Sequence, residues 1–414
     1  MRQKRDRDPL SGITVLELGS FITAPYAALL LADLGANVIK VEPPSGDPFR
    51  SFGTGKYSPN FVGYNRNKRS IVVDIKDLSG RKTLQDLVKR SDILIENFRP
   101  GVMERSKLGF STLRKINPRL IYCAISGFNR TGLNSNRPAF DLIGQSVSGM
   151  LGLFLDPEHP VVRGPTISDQ LAGFYACYGI LGALFARTIT GKGQRVDINM
   201  IEATMSFMPD VFASLTRDNV VMDSRTRAAY SQAYAFVCKD KLVVGLQLSS
   251  LDKFWIGLTE AVERPELQAD PRFASRMQRI KNSDALNDLL SEVFRKLPRS
   301  EWFRRLEQAD VPYAPVHRID EAIRDPEVIA NQSFYELRHP KMGKVLCLHR
   351  PVLYNGARKR GRYPPVLGEH TKEILAEVEA KRLHPKAAGP NRQKKHQSAR
   401  QSGRVRKLGS KSSA

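Results

Sequence analysis

The chain has 414 residues, of which 41% are hydrophobic, so it is long enough for about two domains with buried cores. Its four cysteines show no CxxC or CxxH spacing, which disfavours a disulfide framework and a cysteine-based zinc site and favours a reducing compartment. The first residues carry charge with no apolar segment after them, so we predict a cytoplasmic protein with no metal, no prosthetic group and no membrane contact.

Apolar, β-rich runs alternate with helical patterns through the first 200 residues. The runs are ITVLELG (13–19), NVIKVE (37–42), SIVVDI (70–75), DILIEN (92–97) and LIYCAIS (120–126). Helical patterns at 24–34 and 78–89 supply crossover connections of suitable length. This alternation predicts a large, doubly wound, Rossmann-like α/β domain with a parallel sheet over residues 1–208.

The longest uncharged run, Gln170 to Ala186, is shorter than the roughly 20 residues that span a bilayer. We therefore predict that it forms a buried helix rather than a membrane span.

The pattern changes after about residue 208. We predict a linker at 209–230 and a smaller α+β domain at 231–330, with strands near 234–237 and 241–247 and helices near 251–262, 283–296 and 299–309. Residues 331–380 close with a helical pattern that has Thr371 near its start.

The last segment, residues 381–414, holds eleven lysines and arginines and no acidic residue, which is about half of the net charge of +23. It is poor in aromatic residues and rich in Ser, Gln, Gly and Lys, so we predict a disordered basic tail. A solvated extension is the simpler interpretation of this tail, and weak binding to polyanions is the alternative.

Several common cofactor and hydrolase motifs are missing. The turn after the first predicted strand reads LELGSFITAP, with one glycine, which disfavours NAD and FAD. The sequence contains no Walker A, HExxH, GxSxG or kinase motif set, which argues against nucleotide hydrolysis and the usual hydrolase mechanisms.

Asp169 follows a Gly-Pro turn and begins a long apolar helix pattern in VVRGPTISDQLAGFYACYG. Backbone N–H groups and the helix dipole favour an ionised carboxylate there, so we expect its pKa to lie at or below about 3.9. On these grounds alone, an ordinary helix cap is the simplest role for Asp169.

The segments around Asp169 form an ordered series that resembles the family III CoA-transferases, which include formyl-CoA and carnitine-CoA enzymes. The matching pieces begin with GITVLELGSFITAPYAALLLADLGANVIKVEPPSGDPFR and continue through NRNKRS, ENFRPG, ISGFNRTG, AFDLIGQSVSGM, TGKGQRVDI, DPRF, VPYAPV and PPVLGEHTKEIL. They extend from residue 12 to about residue 375, which leaves out little besides the tail.

The resemblance implies a large α/β domain and a small domain in an interlocked homodimer, with the C-terminal stretch at 331–380 returning to the large domain. It implies that Asp169 is the nucleophile of a CoA-transferase whose substrates are an acyl-CoA thioester and a free carboxylic acid. An ionised carboxylate attacks a thioester without a general base, and mixed-anhydride and aspartyl-CoA thioester intermediates follow.

Other site residues are also implied by the resemblance. The positions of the family's CoA contacts are Asp74, Ile75, Lys76, Asn97, Phe98, Arg99 and Arg105, of which Lys76 and Arg99 suit phosphate groups. The match to AFDLIGQSVSG places Gln145, Ser148 and Gly149 near the nucleophile.

Two departures from related enzymes narrow the reaction. The racemase branch, typified by α-methylacyl-CoA racemase, has a histidine where this chain has Phe140, and phenylalanine cannot remove or return a proton. We keep a 2-methylacyl-CoA racemase as the alternative enzyme and a catalytically silent basic binding protein as the alternative from another class.

The second departure concerns acid specificity. The glycine-run loop of formyl-CoA transferase is replaced here by MDSRTRAAYSQAY, which disfavours formyl and oxalyl substrates. Arg225 and Arg227 lie in this segment, and we hypothesise that one of them binds the distal carboxylate of a dicarboxylic acceptor. A solvated linker is the simpler interpretation of both arginines.

Overall fold

The computed structural model describes residues 8–53, 57–156, 158–339 and 343–383. The strands are β1 (Thr14–Glu17), β2 (Asn37–Glu42), β3 (Lys68–Val72), β4 (Ile93–Glu96), β5 (Ile121–Ser126), β6 (Arg195–Asn199), β7 (Ala233–Val237), β8 (Val243–Gln247), β9 (Tyr313–Pro315), β10 (Phe334–His339) and β11 (Gly343–Leu348).

The helices are α1 (Thr23–Asp33), α2 (Pro59–Asn65), α3 (Leu78–Val88), α4 (Val102–Arg105), α5 (Phe110–Ile116), α6 (Asp141–Val147), α7 (Ser168–Thr190), α8 (Met200–Met205), α9 (Pro209–Asp218), α10 (Thr226–Ser231), α11 (Asp252–Ala261), α12 (Arg276–Lys281), α13 (Ser283–Phe294), α14 (Arg299–Gln308), α15 (Ile319–Ala322), α16 (Pro326–Ala330) and α17 (Thr371–Leu383). Short 3₁₀ turns cover Pro48–Ser51, Leu151–Leu153 and Pro265–Gln268.

Six parallel strands form the large sheet, in the order β3-β2-β1-β4-β5-β6. The predicted α/β class with a parallel, doubly wound sheet is therefore confirmed. The strand order reverses between β1 and β4, and a crevice at the carboxyl ends of such a pair is where open α/β sheets bind ligands. The topology alone directs attention to the loops that follow β1 and β4.

The core of this sheet is built from the apolar runs of the sequence. Val15, Val38, Ile93 and Ile121 are fully buried on neighbouring strands, as expected of a sheet covered on both faces. Alanines of α1 and α7, among them Ala28 and Ala176, belong to the same cluster and allow the two helices to pack closely.

Helix α7 differs from the fully buried helix that we predicted. Ala172, Ala176, Ile180 and Ala183 are buried, but the opposite face exposes Phe174, Tyr178, Phe185 and Ile189. The helix is long and apolar enough to cross a membrane by length and composition, although packing of one face into a sheet core is what a globular helix does as well. The uncharged run reflects two apolar faces, and the described residues of this chain cover only one of them.

Smaller antiparallel sheets follow. Strands β7, β8 and β9 form one sheet, and strands β10 and β11 form a hairpin. The three-stranded sheet packs on α11, α13 and α14 around Trp255, Phe294 and Trp302. This is the smaller α+β part of the predicted fold.

Residues 350–368 contact the beginning of the chain. Arg50 donates from Nη1 to the Pro365 carbonyl at 3.1 Å, and the Gly368 N–H donates to Ser70 Oγ at 2.9 Å. The chain divides into compact units at residues 1–369 and 370–414, and α17 is the described part of the second. The domain limits near residues 208, 230 and 330 stay predictions, and the predicted tail from residue 384 onward lies outside the described residues.

Candidate active site

Asp169 is the second residue of α7 and is 8% exposed. The cap position belongs to Ile167, and no side chain caps this helix. The interpretation of Asp169 as an ordinary helix cap is therefore wrong. Instead, the Asp169 N–H donates to Asp141 Oδ1 at 3.1 Å, so the first turn of α7 is satisfied by a neighbouring helix and the Asp169 carboxylate is left available.

The expected low pKa of Asp169 is also wrong. Burial, with a second contribution from the negative charge of Asp141, raises the pKa of Asp169 to about 7. The helix N-terminus favours the ionised form, but removal of the carboxylate from water outweighs it. Asp169 is thus a carboxyl group that changes charge near neutral pH.

Two close approaches set the position of Asp169. A Cβ on Gly144 of α6 would lie 2.0 Å from Ser168 Oγ, and a Cβ on Gly173 would lie 2.7 Å from the Thr23 carbonyl oxygen of α1. Any side chain at either position would push a helix away from the start of α7. The glycines therefore let α6 and α1 clamp the turn that carries Asp169.

Asp141 links Asp169 to the predicted neighbours. Its Oδ2 accepts a hydrogen bond from Gln145 Nε2 at 2.6 Å, and Ser148 Oγ donates to the Gln145 carbonyl at 3.1 Å. Gln145 and Ser148 are buried, Gly149 is exposed, and none of the three lines the cavity described next. Asp141 was not predicted, although it follows Phe140 directly in the AFD motif.

A cavity of about 240 Å³ opens beside Asp169 at the carboxyl ends of β1, β4 and β5. It lies at the point where the strand order reverses. Its lining consists of Ser20, Phe21, Ile22, Thr23, Asn97, Phe98, Arg99, Pro100, Ile125, Ser126, Gly127, Ser135, Arg137, Pro138, Ala139, Phe140, Asp169 and Met200. The lining contains two cations, Arg99 and Arg137, and one carboxylate, that of Asp169, so the cavity is suited to anionic ligands. Arg137 was not predicted.

Asn97 joins the loops on the two sides of the cavity. Its Oδ1 accepts from the Ser20 N–H at 3.1 Å, and its Nδ2 donates to the Ser20 carbonyl and to Thr23 Oγ1 at 2.9 Å each. The side chain therefore holds the β1–α1 loop against the β4–α4 loop.

Glu96, the last residue of β4, also contacts the β4–α4 loop. It accepts the Phe98 N–H at 2.8 Å, and burial raises its pKa to about 7.

The predicted CoA contacts separate into two groups. Asn97, Phe98 and Arg99 line the cavity. Asp74, Ile75 and Lys76 follow β3 at the same sheet edge, where Asp74 Oδ1 accepts the Lys76 N–H at 2.9 Å, but they do not line the cavity. Arg105 ends α4 and is exposed outside it.

The Arg225 and Arg227 side chains are exposed at the start of α10, and neither lines the cavity. Arg225 Nη1 lies 3.9 Å from Asp284 Oδ2. Their hypothesised contact with an acceptor acid stays a prediction.

A buried cluster of charges lies beneath the β1–α1 loop. Lys40 Nζ contacts Glu17 Oε1 at 2.7 Å, Asp47 Oδ2 at 2.8 Å and the Gly19 carbonyl at 3.0 Å. Lys68 Nζ contacts Glu17 Oε2 at 2.7 Å. We call Glu17, Lys40, Asp47 and Lys68 the buried charge cluster. Its members are far apart in sequence, and no motif indicated them.

Phe21 connects this cluster to the cavity wall. Its N–H points to Asp47 Oδ1 at 3.4 Å, and its φ of 62° is in the left-handed region that β-carbon-bearing residues rarely adopt. Its ring packs edge-on against Phe140, which is 62% exposed and lines the cavity. The position that is histidine in the racemase branch therefore presents a hydrocarbon ring to the site.

Known proteins that are similar to this chain in sequence have CoA-transferase names. Residues 10–371 match the model of CoA-transferase family III. The chain is 32% identical to the human succinyl-CoA:glutarate CoA-transferase over 385 residues, which cover 89% of this chain and 86% of that protein. It is 34% identical to acetyl-CoA:oxalate CoA-transferase of Acetobacter aceti over 359 residues, with coverage of 85% and 90%.

A solved structure has the same fold as this chain. The crystal structure of a CaiB/BaiF family protein from Brucella suis superposes with a TM-score of 0.80 at 29% identity and covers 90% of this chain and all of that chain. The fold, the cavity at the strand-order reversal and these relatives lead to one conclusion: the chain belongs to the family III CoA-transferases and is an enzyme of CoA transfer.

Proposed function

We propose that this enzyme moves CoA from an acyl-CoA thioester to a free carboxylic acid with Asp169 as covalent nucleophile. The observation that carries the proposal is a buried carboxylate on the cavity wall without a counter-ion. Among the residues that the structure describes, burial and the Asp141 charge raise the pKa of Asp169 to about 7, and no cation opposes them. A desolvated carboxylate is a stronger nucleophile than a solvated one.

The first half of the reaction breaks the donor thioester. An Asp169 carboxylate oxygen attacks the thioester carbonyl, the C–S bond breaks, and CoA leaves as a thiolate, which produces a mixed anhydride. The thiolate then attacks the aspartyl carbonyl and expels the donor carboxylate. The product is an aspartyl-CoA thioester, and no proton is transferred in either step.

The second half reverses these steps with another acid. The acceptor carboxylate attacks the aspartyl carbonyl and expels the CoA thiolate, which produces a second mixed anhydride. The thiolate then attacks the acceptor carbonyl of this anhydride and releases the Asp169 carboxylate. CoA remains bound through all steps. Arg99 and Phe98 are our proposed contacts for it at the cavity, with Asn97 as a support, and Asp74, Ile75, Lys76 and Arg105 are the proposed contacts farther along the sheet edge.

We propose short dicarboxylic acids as substrates, because the named relatives act on succinyl-CoA with glutarate and on acetyl-CoA with oxalate. Arg137, which lines the same cavity, provides positive charge for a second carboxylate. Assays of CoA exchange with succinate, glutarate and oxalate as acceptors test this proposal together with the prediction that disfavours oxalyl substrates.

We also propose that the enzyme is a homodimer. The exposed apolar stripe on α7 (Phe174, Tyr178, Phe185 and Ile189) is a surface that a second copy would cover. Light scattering of the wild type and of a Phe185→Glu variant tests this, since the variant should dissociate. The four cysteines are buried free thiols, consistent with the reducing cytoplasm that we propose as its location.

Mass spectrometry after mixing the enzyme with acyl-CoA and trapping with hydroxylamine or borohydride tests the nucleophile. We expect the modification to map to Asp169 and to be absent from an Asp169→Asn variant. Turnover by an enzyme whose Asp169 stays unmodified under trapping conditions would overturn the proposal.

A further inference from the structure

A second cavity, of about 220 Å³, lies at the opposite end of the large sheet, where the strands β2 and β3 begin. Ala36 and Asn67, which directly precede these strands, contribute to its wall, and residues 348–362 close it. The Asp169 cavity lies where the strands end. The two cavities are therefore separated by the length of the sheet, and we call this second one the basic cleft.

The basic cleft has an unbalanced charge. Its lining contains five cationic side chains, Arg66, Arg350, Lys359, Arg360 and Arg362, and two carboxylates, Asp8 and Asp33. Lys359 Nζ lies 3.0 Å from Asp8 Oδ2, and Arg66 pairs with Asp33. Even with both acids ionised, the lining keeps an excess of three positive charges. Such a cavity favours an anion.

Two of these arginines are held in place by the chain itself. Arg350 is 8% exposed, and its Nη1 donates to the Asp33 carbonyl at 2.6 Å and to Asp8 Oδ1 at 3.2 Å. Arg66 pairs with the carboxylate of the same Asp33. The two guanidinium groups thus converge on one residue at the end of α1, which fixes their positions in the wall of the cleft.

Both arginines also retain an unused donor. Within the described part of the chain, the buried Nε of Arg66 and the buried Nε of Arg350 have no hydrogen-bond acceptor. A buried N–H without an acceptor destabilises the fold, and native proteins rarely leave one unless water or an ion occupies the site. Both side chains line the basic cleft, so its wall carries guanidinium groups whose hydrogen-bonding capacity is only partly used.

We propose that the basic cleft is a binding site for a phosphate-type polyanion of about pyrophosphate size, separate from the CoA site. Phosphate oxygens accept several guanidinium N–H bonds at once, and a diphosphate carries charge close to the excess in the lining. The exposed Arg360 and Arg362 stand at its mouth. The ligand is free pyrophosphate or the diphosphate of a nucleotide.

Isothermal titration of the full-length enzyme with inorganic pyrophosphate tests this, with CoA present at saturation so that the active-site cavity is already filled. We expect binding at submillimolar pyrophosphate. Arg350→Met should weaken it by at least about tenfold, because each charge-assisted contact is worth roughly 1.5–3 kcal/mol. Arg360→Ala, at an exposed position, should weaken it by about threefold. Arg217→Ala, exposed on α9, is the charge-matched control and should bind as the wild type does.

A parallel titration with adenosine diphosphate distinguishes the sources, since the tighter of the two ligands identifies free or nucleotide-borne diphosphate. The proposal is overturned if neither ligand binds at millimolar concentration. It is also overturned if Arg360→Ala and a folded Arg350→Met bind pyrophosphate as tightly as the wild type. Should Arg350→Met fail to fold, the Arg360→Ala and Arg217→Ala pair decides the outcome.

Discussion

Glu17 and Asp169 are two buried acids in the same domain, and their surroundings differ in one respect. Glu17 is inaccessible to solvent and has a lysine Nζ at 2.7 Å from each of its carboxylate oxygens. Asp169 is nearly as buried, yet the charge that affects it is another acid, Asp141. The first arrangement fixes strands and a loop, whereas the second keeps a carboxylate in a state that costs free energy.

Replacement of the unpaired acid should affect catalysis most. We expect Asp169→Asn to lower kcat for CoA transfer by a factor of at least about 10³, because an amide cannot form the anhydride or the aspartyl thioester. Steady-state assays with succinyl-CoA and glutarate measure this. Glu104→Gln, at an exposed acid outside the cavity, is the control. Asp169→Asn activity within tenfold of the wild type would contradict covalent catalysis at this residue.

Removal of a lysine that pairs with Glu17 should instead lower the stability of the fold. We expect Lys40→Met to lower the free energy of unfolding by about 3–5 kcal/mol, since it leaves Glu17 and Asp47 buried beside a lost partner. Lys68→Met should cost less, because burial already lowers the pKa of Lys68 to about 8 while the surrounding carboxylates raise that of Lys40.

Urea unfolding followed by circular dichroism compares the two variants. Lys115→Met on exposed α5 should stay within about 0.5 kcal/mol of the wild type. Equal, small losses for Lys40→Met and Lys115→Met would remove the structural role assigned to the buried charge cluster.

Asp169→Asn should also make the protein more stable above neutral pH, opposite in sign to Lys40→Met. A folded pKa of about 7 against an unfolded value near 3.8 means that the folded protein loses stability as pH rises from about 4 to 7, by at most about 4 kcal/mol. The gain of the variant over the wild type should therefore grow across this range and level off above it. Thermal unfolding from pH 4 to pH 8 measures this, and a gain that is independent of pH would disprove the linkage.

The smallest expected effect is on the pH dependence of the first step. The rate of enzyme acylation by acyl-CoA should rise with pH through about 7, as Asp169 ionises. Asp141→Asn removes a negative charge and should lower this midpoint by less than about one pH unit, since burial remains the larger cause. The pKa of Glu96 is also raised to about 7, but Glu96 contacts the Phe98 N–H and is not affected by the charge of Asp141. A midpoint that does not respond to Asp141→Asn would therefore assign the pH profile to Glu96.

Much of the large sheet was predictable because its strands are continuous apolar runs. The predicted runs at 37–42 and 120–126 match β2 and β5 almost to the residue. Strand β6 was missed because Arg195 and Asp197 interrupt its apolar pattern at the sheet edge, and the β10–β11 hairpin was missed for similar reasons. Edge strands carry a weaker sequence signal than buried ones.

The sequence indicated four residues that share one cavity, but it did not indicate their environment. Motif resemblance found Asp169, Asn97, Phe98 and Arg99, which the fold brings to one cavity. The raised pKa of Asp169 arises from burial and from Asp141, 28 residues away, and no local pattern reports either of them. The position of Asp169 at a helix N-terminus predicts a low pKa, but burial and the Asp141 charge come from the rest of the fold and raise it.

The Asn97 bridge has a consequence for how the enzyme tolerates changes in acidity. A carboxamide has no proton to gain or lose between pH 4 and 9, so the hydrogen bonds from Asn97 to Ser20 and Thr23 are the same on both sides of neutrality. Asp169 and Glu96 change charge in that interval. The junction of the two loops is thus insulated from protonation, and acidity changes the charge of Asp169 while the β1–α1 loop keeps its attachment.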